Sequence, residues 1–366
     1  MLKGFIMNYT VTVIGVGLIG GSLCHAFKKE GLNTIGVSSQ DTIKKAEDLK
    51  IIDRGYSYDG IGEAVKEADF VFICTPLLEI GRILPLVIEN SKKNCIISDV
   101  GSTKSTICGL AERNKKRGVY FVGGHPMAGS EKRGIDNANP YLFYDAVWVI
   151  TPLKGTPKRV VKSISNLISM VGAKIMILTP ELHDKIAANI SHLPQFLAVL
   201  LTNQLADKNN DLYRNLAAGG FRDMTRIASS DFSIWRGIIE TNRDEIFSAM
   251  EEYKRRLEKM INSMHDLEFI KSEFEKAAEE RKTIPRYSKG FLKPLVDVRV
   301  TVRDKPGELA KITNIIYYQG VNIKDIEIIN IREGEGGILR LGFSEKREAN
   351  TAAQALSKFG YDVIIV

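Results

Sequence analysis

Residues 11–22 read VTVIGVGLIGGS, an apolar strand pattern that runs into a GxGxxG turn and then into a helix-forming stretch. In this spacing Gly15 allows the sharp turn, Gly17 leaves room for a pyrophosphate, and Gly20 lets the helix pack against the strand. The N–H groups at the start of that helix would face the phosphates. The stretch predicts a nicotinamide dinucleotide site in a Rossmann domain; a purely structural glycine turn is the alternative.

The composition is typical of a globular protein with two or three domains, since the chain has 366 residues. The longest apolar runs are far shorter than the ~20 residues needed to cross a bilayer, and the first residues lack a secretory-signal pattern. We therefore expect a cytoplasmic protein without a membrane partner. The net charge is +7, but the basic residues are interleaved with acidic ones and form no single patch. This favours a small anionic substrate over nucleic acid.

The cysteines show no metal-binding or redox spacing. None of the four belongs to a CxxC pair, and each lies in or beside a predicted helix or strand. We interpret them as reduced residues that pack in the core, and we predict no metal site. The four are Cys24, Cys74, Cys95 and Cys108.

The first half of the chain alternates short apolar strands with helical stretches, the pattern of a parallel, doubly wound α/β sheet. Two later strand patterns flank a helical stretch at residues 158–171 and are expected to extend the same sheet. The predicted strands are residues 9–14, 34–37, 70–74, 95–98, 120–122, 146–150 and 174–178.

Residues 181–282 contain no strand pattern, so we predict an all-helical region after the sheet. Within it, apolar residues recur at alternating steps of four and three, a heptad stripe typical of a helix that packs against another helix. The partner helix belongs either to the same chain or to a second copy, and we predict a homodimer. The stripe comprises Ile246, Met250, Tyr253, Leu257, Met260, Met264 and Leu267.

The tail is predicted to form a separate, small α+β domain. Its strand and helix patterns follow in the order βαββαβ, which is typical of a ferredoxin-like fold. These patterns cover residues 295–302, 308–318, 321–331, 337–343, 349–358 and 363–366. The predicted organisation is a Rossmann domain at 1–179, a helical substrate and dimerisation domain at 180–285, a linker at 286–294 and the small domain at 295–366.

Polar clusters follow three of the predicted strands, at the edge where doubly wound sheets bind their ligands. They are Thr75 with Pro76, residues 98–104 (SDVGSTK) and residues 123–131 (GGHPMAGSE). His125, in the third cluster, is preceded by two glycines and followed by a proline that restricts the backbone. This position suggests a catalytic histidine, with a structural histidine as the alternative.

Five segments together resemble the prephenate dehydrogenase family, which includes arogenate and cyclohexadienyl dehydrogenases. The resemblance runs from about residue 10 to about residue 285, and its third and fifth segments distinguish the family from most other Rossmann oxidoreductases. The segments are GVGLIGGS, DVGSTK, GGHPMAGSEKRG, ELHDKIAANISHLPQ and AAGGFRDMTRIASS.

The resemblance implies oxidative decarboxylation of prephenate to 4-hydroxyphenylpyruvate, a step of tyrosine biosynthesis. A hydride passes to the nicotinamide, carbon dioxide leaves and the ring becomes aromatic. By resemblance, His125 takes the hydroxyl proton and Ser102 is its hydrogen-bonding partner. Arg222 would bind the ring carboxylate through two hydrogen bonds; a surface ion pair with Asp223 is the alternative.

The helix segment around His192 is predicted to form a pocket wall, because Pro194 would bend the helix there. By resemblance, His192 and Glu131 shape and gate the pocket; a hydrogen-bonded core histidine is the alternative role of His192. Many prephenate-specific members read His-Leu-Pro-His, but this chain has Gln195 in the last position. Arogenate and dual specificity therefore stay open beside prephenate.

The second predicted strand ends in serines, where NAD enzymes usually carry an acidic residue. Ser38 takes that position, and Asp41 lies a little beyond it. We predict NAD from the habit of the family, and NADP stays open. The residues expected to contact the cofactor are Gly15, Gly17, Leu18, Ile19, Gly20, Ser38, Thr75 and Pro76.

Residues 303–309 (RDKPGEL) resemble the turn before the first helix of an ACT domain. This resemblance implies an amino-acid effector, with tyrosine as the expected one, bound near Asp304, Pro306 and Gly307. Two other functions are considered. One is a β-hydroxyacid-type dehydrogenase, which generally depends on a helix lysine, and the other is a non-catalytic sensor of a dinucleotide and an amino acid.

Overall fold

The computed structural model describes residues 9–129, 133–208, 210–284, 295–332 and 336–365, and only the backbone of residues 329–332. The predicted linker at 286–294 and the predicted site residue Glu131 lie outside the described residues. The chain divides into two compact units, Met1–His265 and Asp266–Val366. The predicted domain boundaries remain predictions.

The first unit contains an eight-stranded sheet in the order β3-β2-β1-β4-β5-β6-β7-β8. The prediction of a doubly wound α/β sheet is confirmed, and β1 is an interior strand because the chain winds outward from it in both directions. The strands are β1 (Thr10–Ile14), β2 (Asn33–Val37), β3 (Arg54–Tyr56), β4 (Phe70–Ile73), β5 (Ile96–Asp99), β6 (Tyr120–Pro126), β7 (Val147–Pro152) and β8 (Lys174–Ile177).

Three strand predictions need correction. The sequence pattern did not predict β3, which lies at the sheet edge. The two later strands extend the sheet as expected, but the parallel pattern does not continue at β7, which pairs antiparallel with β6 and places His125 opposite Val149. The predicted strand at 120–122 is also too short, because pairing with β7 extends β6 through Gly123 and His125 to Pro126. The GGHP segment is therefore part of a strand instead of a loop.

Helices cover both faces of the sheet, as its apolar strands require. One buried cluster lies between the sheet and the first, second and sixth helices, and another lies between the sheet and the third, fourth and fifth. These helices are α1 (Leu18–Lys29), α2 (Gln40–Asp48), α3 (Ile61–Lys66), α4 (Leu77–Asn90), α5 (Ser105–Arg113) and α6 (Lys158–Met170).

The chain then becomes all-helical, as predicted. Thr179 begins this region as an N-cap, because its hydroxyl accepts a hydrogen bond from the Leu182 N–H. The bend predicted near Pro194 takes the form of a π-helical turn just before that proline. The elements are α7 (Pro180–Ala187), the π-helical turn (Ala188–His192), α8 (Leu193–Asp207), α9 (Asp211–Asn215), α10 (Gly219–Thr225), a 3₁₀ turn (Arg226–Ser229), α11 (Phe232–Thr241) and α12 (Arg243–Asn262).

The heptad stripe does not lie on one helix, so this part of the prediction is wrong. α12 ends at Asn262, and the side chain of Asp266 accepts a hydrogen bond from the Phe269 N–H to begin another helix. Met264 and Leu267 are therefore separated from the rest of the stripe. On α12 itself Ile246 is buried within the first unit, whereas further along the helix Leu257 is 48% exposed.

The second unit has the predicted βαββαβ order, with the α13 helix in front of it. Its antiparallel sheet has the order β10-β11-β9-β12, and one face packs against the two later helices. This confirms a ferredoxin-like fold. The elements are α13 (Leu267–Thr283), β9 (Val296–Val302), α14 (Glu308–Tyr317), β10 (Asp325–Arg332), β11 (Gly336–Phe343), α15 (Lys346–Lys358) and β12 (Val363–Ile365).

Among the described residues, no helix has the length and apolar character needed to cross a membrane. The four cysteines are free thiols, and all but Cys74 are fully buried. Burial raises the pKa of the Cys24, Cys95 and Cys108 thiols to about 12, which keeps them protonated and unreactive. The interpretation of the cysteines as packing residues is confirmed.

Candidate active site

The glycine-rich turn between β1 and α1 leaves space at one position only. Gly15 has a φ of 94°, and a Cβ there would lie 2.8 Å from the Cys74 carbonyl carbon. A Cβ at Gly20 would lie 2.0 Å from the Gly15 carbonyl oxygen, so both glycines are needed for packing. At Gly17, by contrast, a Cβ would meet nothing within 4 Å. The open space at Gly17 lies where α1 begins, with Leu18 as its first residue.

Two polar side chains lie at the ends of the strands beside this turn. The Thr75 hydroxyl, just after β4, is buried and has no hydrogen-bond partner among the described residues. Ser38, just after β2, is also buried. A buried hydroxyl without a partner is unfavourable unless a ligand completes it, so these residues fit a bound dinucleotide. The unpaired N–H groups at the start of α1 add a favourable site for its phosphates.

A buried ion pair holds the loop after β5. Lys104 is fully buried, and its ammonium group donates to the carboxylate of Asp99 and, at 2.7 Å, to the Gly124 carbonyl oxygen. The same carboxylate accepts from the backbone N–H groups of Gly124 (3.1 Å) and Gly101 (2.8 Å). A Cβ at Gly124 would lie 2.5 Å from the Asp99 carbonyl oxygen, which explains the glycine before His125.

His125 forms a chain of hydrogen bonds with two residues of α7. Its Nδ1 lies 2.8 Å from Nε2 of His183, and Nδ1 of His183 lies 2.8 Å from the Asp184 carboxylate. His183 and Asp184 are 3% and 1% exposed, whereas His125 is half-buried. The chain therefore runs from the interior towards the accessible edge of the sheet.

The Asp184 carboxylate also joins the helical region to the loop after β5. Its two oxygens accept from the backbone N–H groups of Lys104 and Ser105, both at 2.7 Å, at the start of α5. The Asp184 carbonyl oxygen accepts from Asn242, whose amide also lies 3.2 Å from Nδ1 of His192. Three histidines thus belong to one hydrogen-bonded cluster.

Burial sets the charge states of this cluster. It holds the pKa of His125 well below its ordinary value, and the positive charge of Lys104 acts in the same direction. Burial likewise lowers the pKa of His192 to about 4. For Asp184, burial opposes ionisation, but hydrogen bonds from His183 and Ser105 outweigh it and lower the pKa. His125 and His192 are therefore neutral at pH 7, beside an ionised Asp184.

The structure brings only some of the predicted site residues together. Ser102 lies in the same loop as Lys104, which adjoins His125 through Gly124. His192 is buried and hydrogen-bonded, with its ring edge-on to Trp235 at 5.9 Å between centroids.

Of the other predicted substrate residues, the two that the structure describes lie on α8 and α10. Gln195 is buried on α8 and donates to the Ile227 carbonyl oxygen. Arg222 is exposed on α10, which packs on α8. Within the described part of the chain it forms no ion pair with Asp223 or with another acid.

No role for His183, Asp184, Lys104 or Asp99 was predicted from the sequence. The signal available was the adjacent His-Asp pair near the start of a predicted helix, inside the ELHDK segment. That pair could have been interpreted as an imidazole oriented by a carboxylate, although adjacent histidine and aspartate residues more often lie exposed to solvent on a helix turn. Lys104 could not have been predicted, because lysines are almost never fully buried.

A glycine-rich nucleotide cradle, with a neutral imidazole at the carboxyl end of the same sheet, defines a dinucleotide-dependent oxidoreductase. The comparison with protein families agrees. The model for the prephenate dehydrogenase nucleotide-binding domain matches residues 23–177, and the model for the prephenate dehydrogenase dimerization domain matches residues 179–275. The chain belongs to the prephenate dehydrogenase family.

Similar proteins include enzymes named for two different substrates, prephenate and arogenate. A prephenate dehydrogenase from Bacillus subtilis is 36% identical over 358 residues, 96% of each chain. The crystal structure of Synechocystis arogenate dehydrogenase is 29% identical, with a TM-score of 0.68, over 75% of this chain and 99% of that one. A prephenate dehydrogenase from A. aeolicus, solved with hydroxyphenyl propionate and NAD+, is 29% identical with a TM-score of 0.68, over 75% of this chain and 97% of that one.

Two alanine substitutions should separate packing from cofactor binding at the glycine-rich turn. Gly15→Ala should destabilise the first unit by about 1–3 kcal/mol, because the new methyl group meets Cys74 at a positive φ. Gly17→Ala should unfold like the wild type but bind the dinucleotide at least about tenfold more weakly. Denaturant unfolding and fluorescence titration with NAD measure the two effects. Equal loss of stability in both variants would contradict the assignment.

Lys104→Met should destabilise the first unit by about 3–5 kcal/mol, because it leaves the Asp99 carboxylate buried without its cation. Lys45→Met removes an exposed ion pair with Asp136 and should change stability by less than about 1 kcal/mol. The measurement is denaturant unfolding followed by tryptophan fluorescence, since Trp148 and Trp235 both lie in the first unit. Similar losses in the two variants would show that the buried pair contributes no more than an exposed one.

Proposed function

We propose that this protein uses NAD to oxidise prephenate, with loss of carbon dioxide, and that His125 is the base. The observation that carries the proposal is the neutral, half-buried imidazole of His125 at the carboxyl end of β6. A ring hydroxyl cannot become a carbonyl while it keeps its proton, so a neutral acceptor is required at this position. The names of the similar proteins support the substrate class.

The chemistry of the bound NAD is acceptance of a hydride from the ring carbon that carries the hydroxyl. His125 accepts the hydroxyl proton at Nε2, since Nδ1 is engaged with His183. As the carbon–carbon bond to the ring carboxylate breaks, its electron pair enters the ring and carbon dioxide leaves. The ring oxygen then takes back the proton from His125. The net products are carbon dioxide, the reduced cofactor and an aromatic ring with a hydroxyl group.

The substrate carries two carboxylates, and Arg222 is proposed to bind the one on the ring. Its guanidinium is exposed on α10 and forms no ion pair within the described residues, so it is available to a ligand. Ser102 is proposed as a hydrogen-bonding partner near the substrate hydroxyl. His192, Gln195 and Glu131 are proposed to shape the pocket.

Prephenate is preferred over arogenate in this proposal because the relative from Bacillus subtilis carries that name and matches nearly the whole chain. The neutral Gln195, in place of a second histidine, keeps arogenate as the second candidate. For the cofactor, the A. aeolicus structure with NAD+ favours NAD over NADP. Ser38 does not itself exclude a 2′-phosphate, since its hydroxyl can donate to one.

We also propose that the chain works as a homodimer in the cytoplasm and responds to tyrosine. The match to a dimerization domain and the exposed apolar residues of α12 support the dimer. The ferredoxin-like fold and the turn at Asp304, Pro306 and Gly307 support an amino-acid effector. Gly307 has a φ of 87° and directly precedes α14. The backbone N–H groups at the start of that helix form the kind of site that binds anions.

Initial rates with prephenate and arogenate, each with NAD and NADP, test the proposed reaction. The highest kcat/KM is expected for prephenate with NAD. His125→Asn should bind NAD normally and lose about 10²–10⁴-fold in kcat, the contribution of a general base. Fluorescence titration with NAD serves as the control for folding. Absence of turnover by the wild type, or a kcat within about tenfold of it in His125→Asn, would refute the assignment.

Tyrosine should inhibit the full-length protein, and a chain truncated after residue 286 should escape this inhibition. Truncation is reasonable because the Synechocystis and A. aeolicus enzymes match only 75% of this chain but almost all of their own. A coupling of about 1–3 kcal/mol is expected between tyrosine and substrate. Equal inhibition of both chains would place tyrosine at the active site as a competing product analogue. Inhibition of neither would remove the sensing role.

A further inference from the structure

The pair His183–Asp184 contacts the proposed base directly, and in the proposed chemistry it does no more than occupy Nδ1 of His125. Both residues are almost completely buried, and both distances in the chain from His125 to Asp184 are 2.8 Å. We infer that His183, held by Asp184, is a positioning residue that fixes the tautomer of His125. This inference rests on the proposed function, because it assigns to His183 the task of preparing that base.

The direction of each hydrogen bond follows from the first one. An ionised carboxylate can only accept, so the atom of His183 that donates to Asp184 must be Nδ1–H. Taken as a neutral imidazole, His183 carries a single N–H, so its Nε2 then has a lone pair and accepts. His125 must therefore donate from Nδ1–H, and its own Nε2 is left with a lone pair. The substrate proton can be taken at that atom and no other.

Asp184 can fix the direction of both hydrogen bonds because its own side-chain orientation is fixed. Its two oxygens accept from the N–H groups of Lys104 and Ser105, so the carboxylate cannot rotate without losing backbone hydrogen bonds. A carboxylate that locks a histidine in one tautomer is a common device where an imidazole must act as a base.

The same arrangement stabilises the base after it accepts a proton. The new imidazolium of His125 keeps its Nδ1–H on His183, and the negative charge of Asp184 lies one ring away. Among the described residues, the other charged or titratable groups that face this pair are Lys104 with Asp99, and His192. Since Lys104 is neutralised by Asp99, Asp184 supplies the unbalanced negative charge of the cluster.

Two amide substitutions at His183 separate its two hydrogen bonds. His183→Gln places an amide oxygen near the former Nε2, so it can still accept from His125 but loses the link to Asp184. His183→Asn is one methylene shorter, so it can still donate to Asp184 but no longer reaches His125. The matched control is His25→Asn, which changes a half-buried histidine of α1 outside the cluster.

If His183 sets the tautomer, His183→Asn should lose about 10²-fold in kcat with little change in KM, whereas His183→Gln should stay within about tenfold of the wild type. The acidic limb of the kcat/KM pH profile should move to lower pH in His183→Asn, because the imidazolium of His125 has lost its acceptor. NAD affinity and melting temperature, measured for all variants, report on folding.

Equal losses in His183→Asn and His183→Gln with an unmoved acidic limb would overturn the inference and leave His183 a packing residue. A His183→Asn activity equal to that of His25→Asn would overturn it as well. Failure of the proposed function is a separate outcome, since the wild type itself would then fail to turn over prephenate. If His183→Asn cannot fold, the His183→Gln pH profile decides, because loss of the Asp184 link should still shift its acidic limb.

Discussion

The carboxylate of Asp184 holds the candidate site together. This carboxylate accepts hydrogen bonds from backbone N–H groups at the start of α5 and from the ring of His183. The backbone carbonyl of the same residue accepts from Asn242, near the start of α12. A buried carboxylate is stable only when such donors surround it, so the loop after β5 and the first turns of the helical region must fold against each other. The position of His125 relative to the helices depends on that mutual requirement.

The Lys104–Asp99 ion pair is a second set of buried charges, inside the sheet, that is stable only when hydrogen bonds from neighbouring segments complete it. Removing two charges from water is unfavourable, and their attraction compensates only where additional hydrogen bonds complete both groups. The Gly124 backbone supplies a carbonyl to Lys104 and an N–H to Asp99. The strand that carries His125 is thereby fixed to its neighbour by side chains as well as by the sheet.

Much of the fold could be predicted because the burial of its elements is periodic along the sequence. β4 is a continuous apolar run, β1 is a buried run of valine, isoleucine and threonine, and the βαββαβ pattern of the tail has the expected order. The direction of β7 was missed, although the region before it held a signal. The described residues between β6 and β7 form only a 3₁₀ turn, Ile135–Asn137, whereas the crossover between two parallel strands is usually an α-helix.

The candidate site was only partly predictable. His125 and the glycines lie in contiguous motifs, so local spacing was enough to single them out. His183 lies 58 residues from His125, and their hydrogen bond exists only after α7 folds against β6. No local pattern records such a contact, and the same limitation applies to Asn242 with His192.

The π-helical turn at Ala188–His192 changes which residues share a face. In a regular α-helix each residue advances by about 100°, so residues nine apart, such as His183 and His192, would point in nearly opposite directions. The wider turn contains about one extra residue, which rotates everything after it back by about 100°. His192 is thereby brought round towards the side of His183, where Asn242 reaches both His192 and the Asp184 backbone. The angular phase of α8 is thus set by a single surplus residue; a regular helix that kept the same nine-residue spacing would place the two histidines on opposite sides.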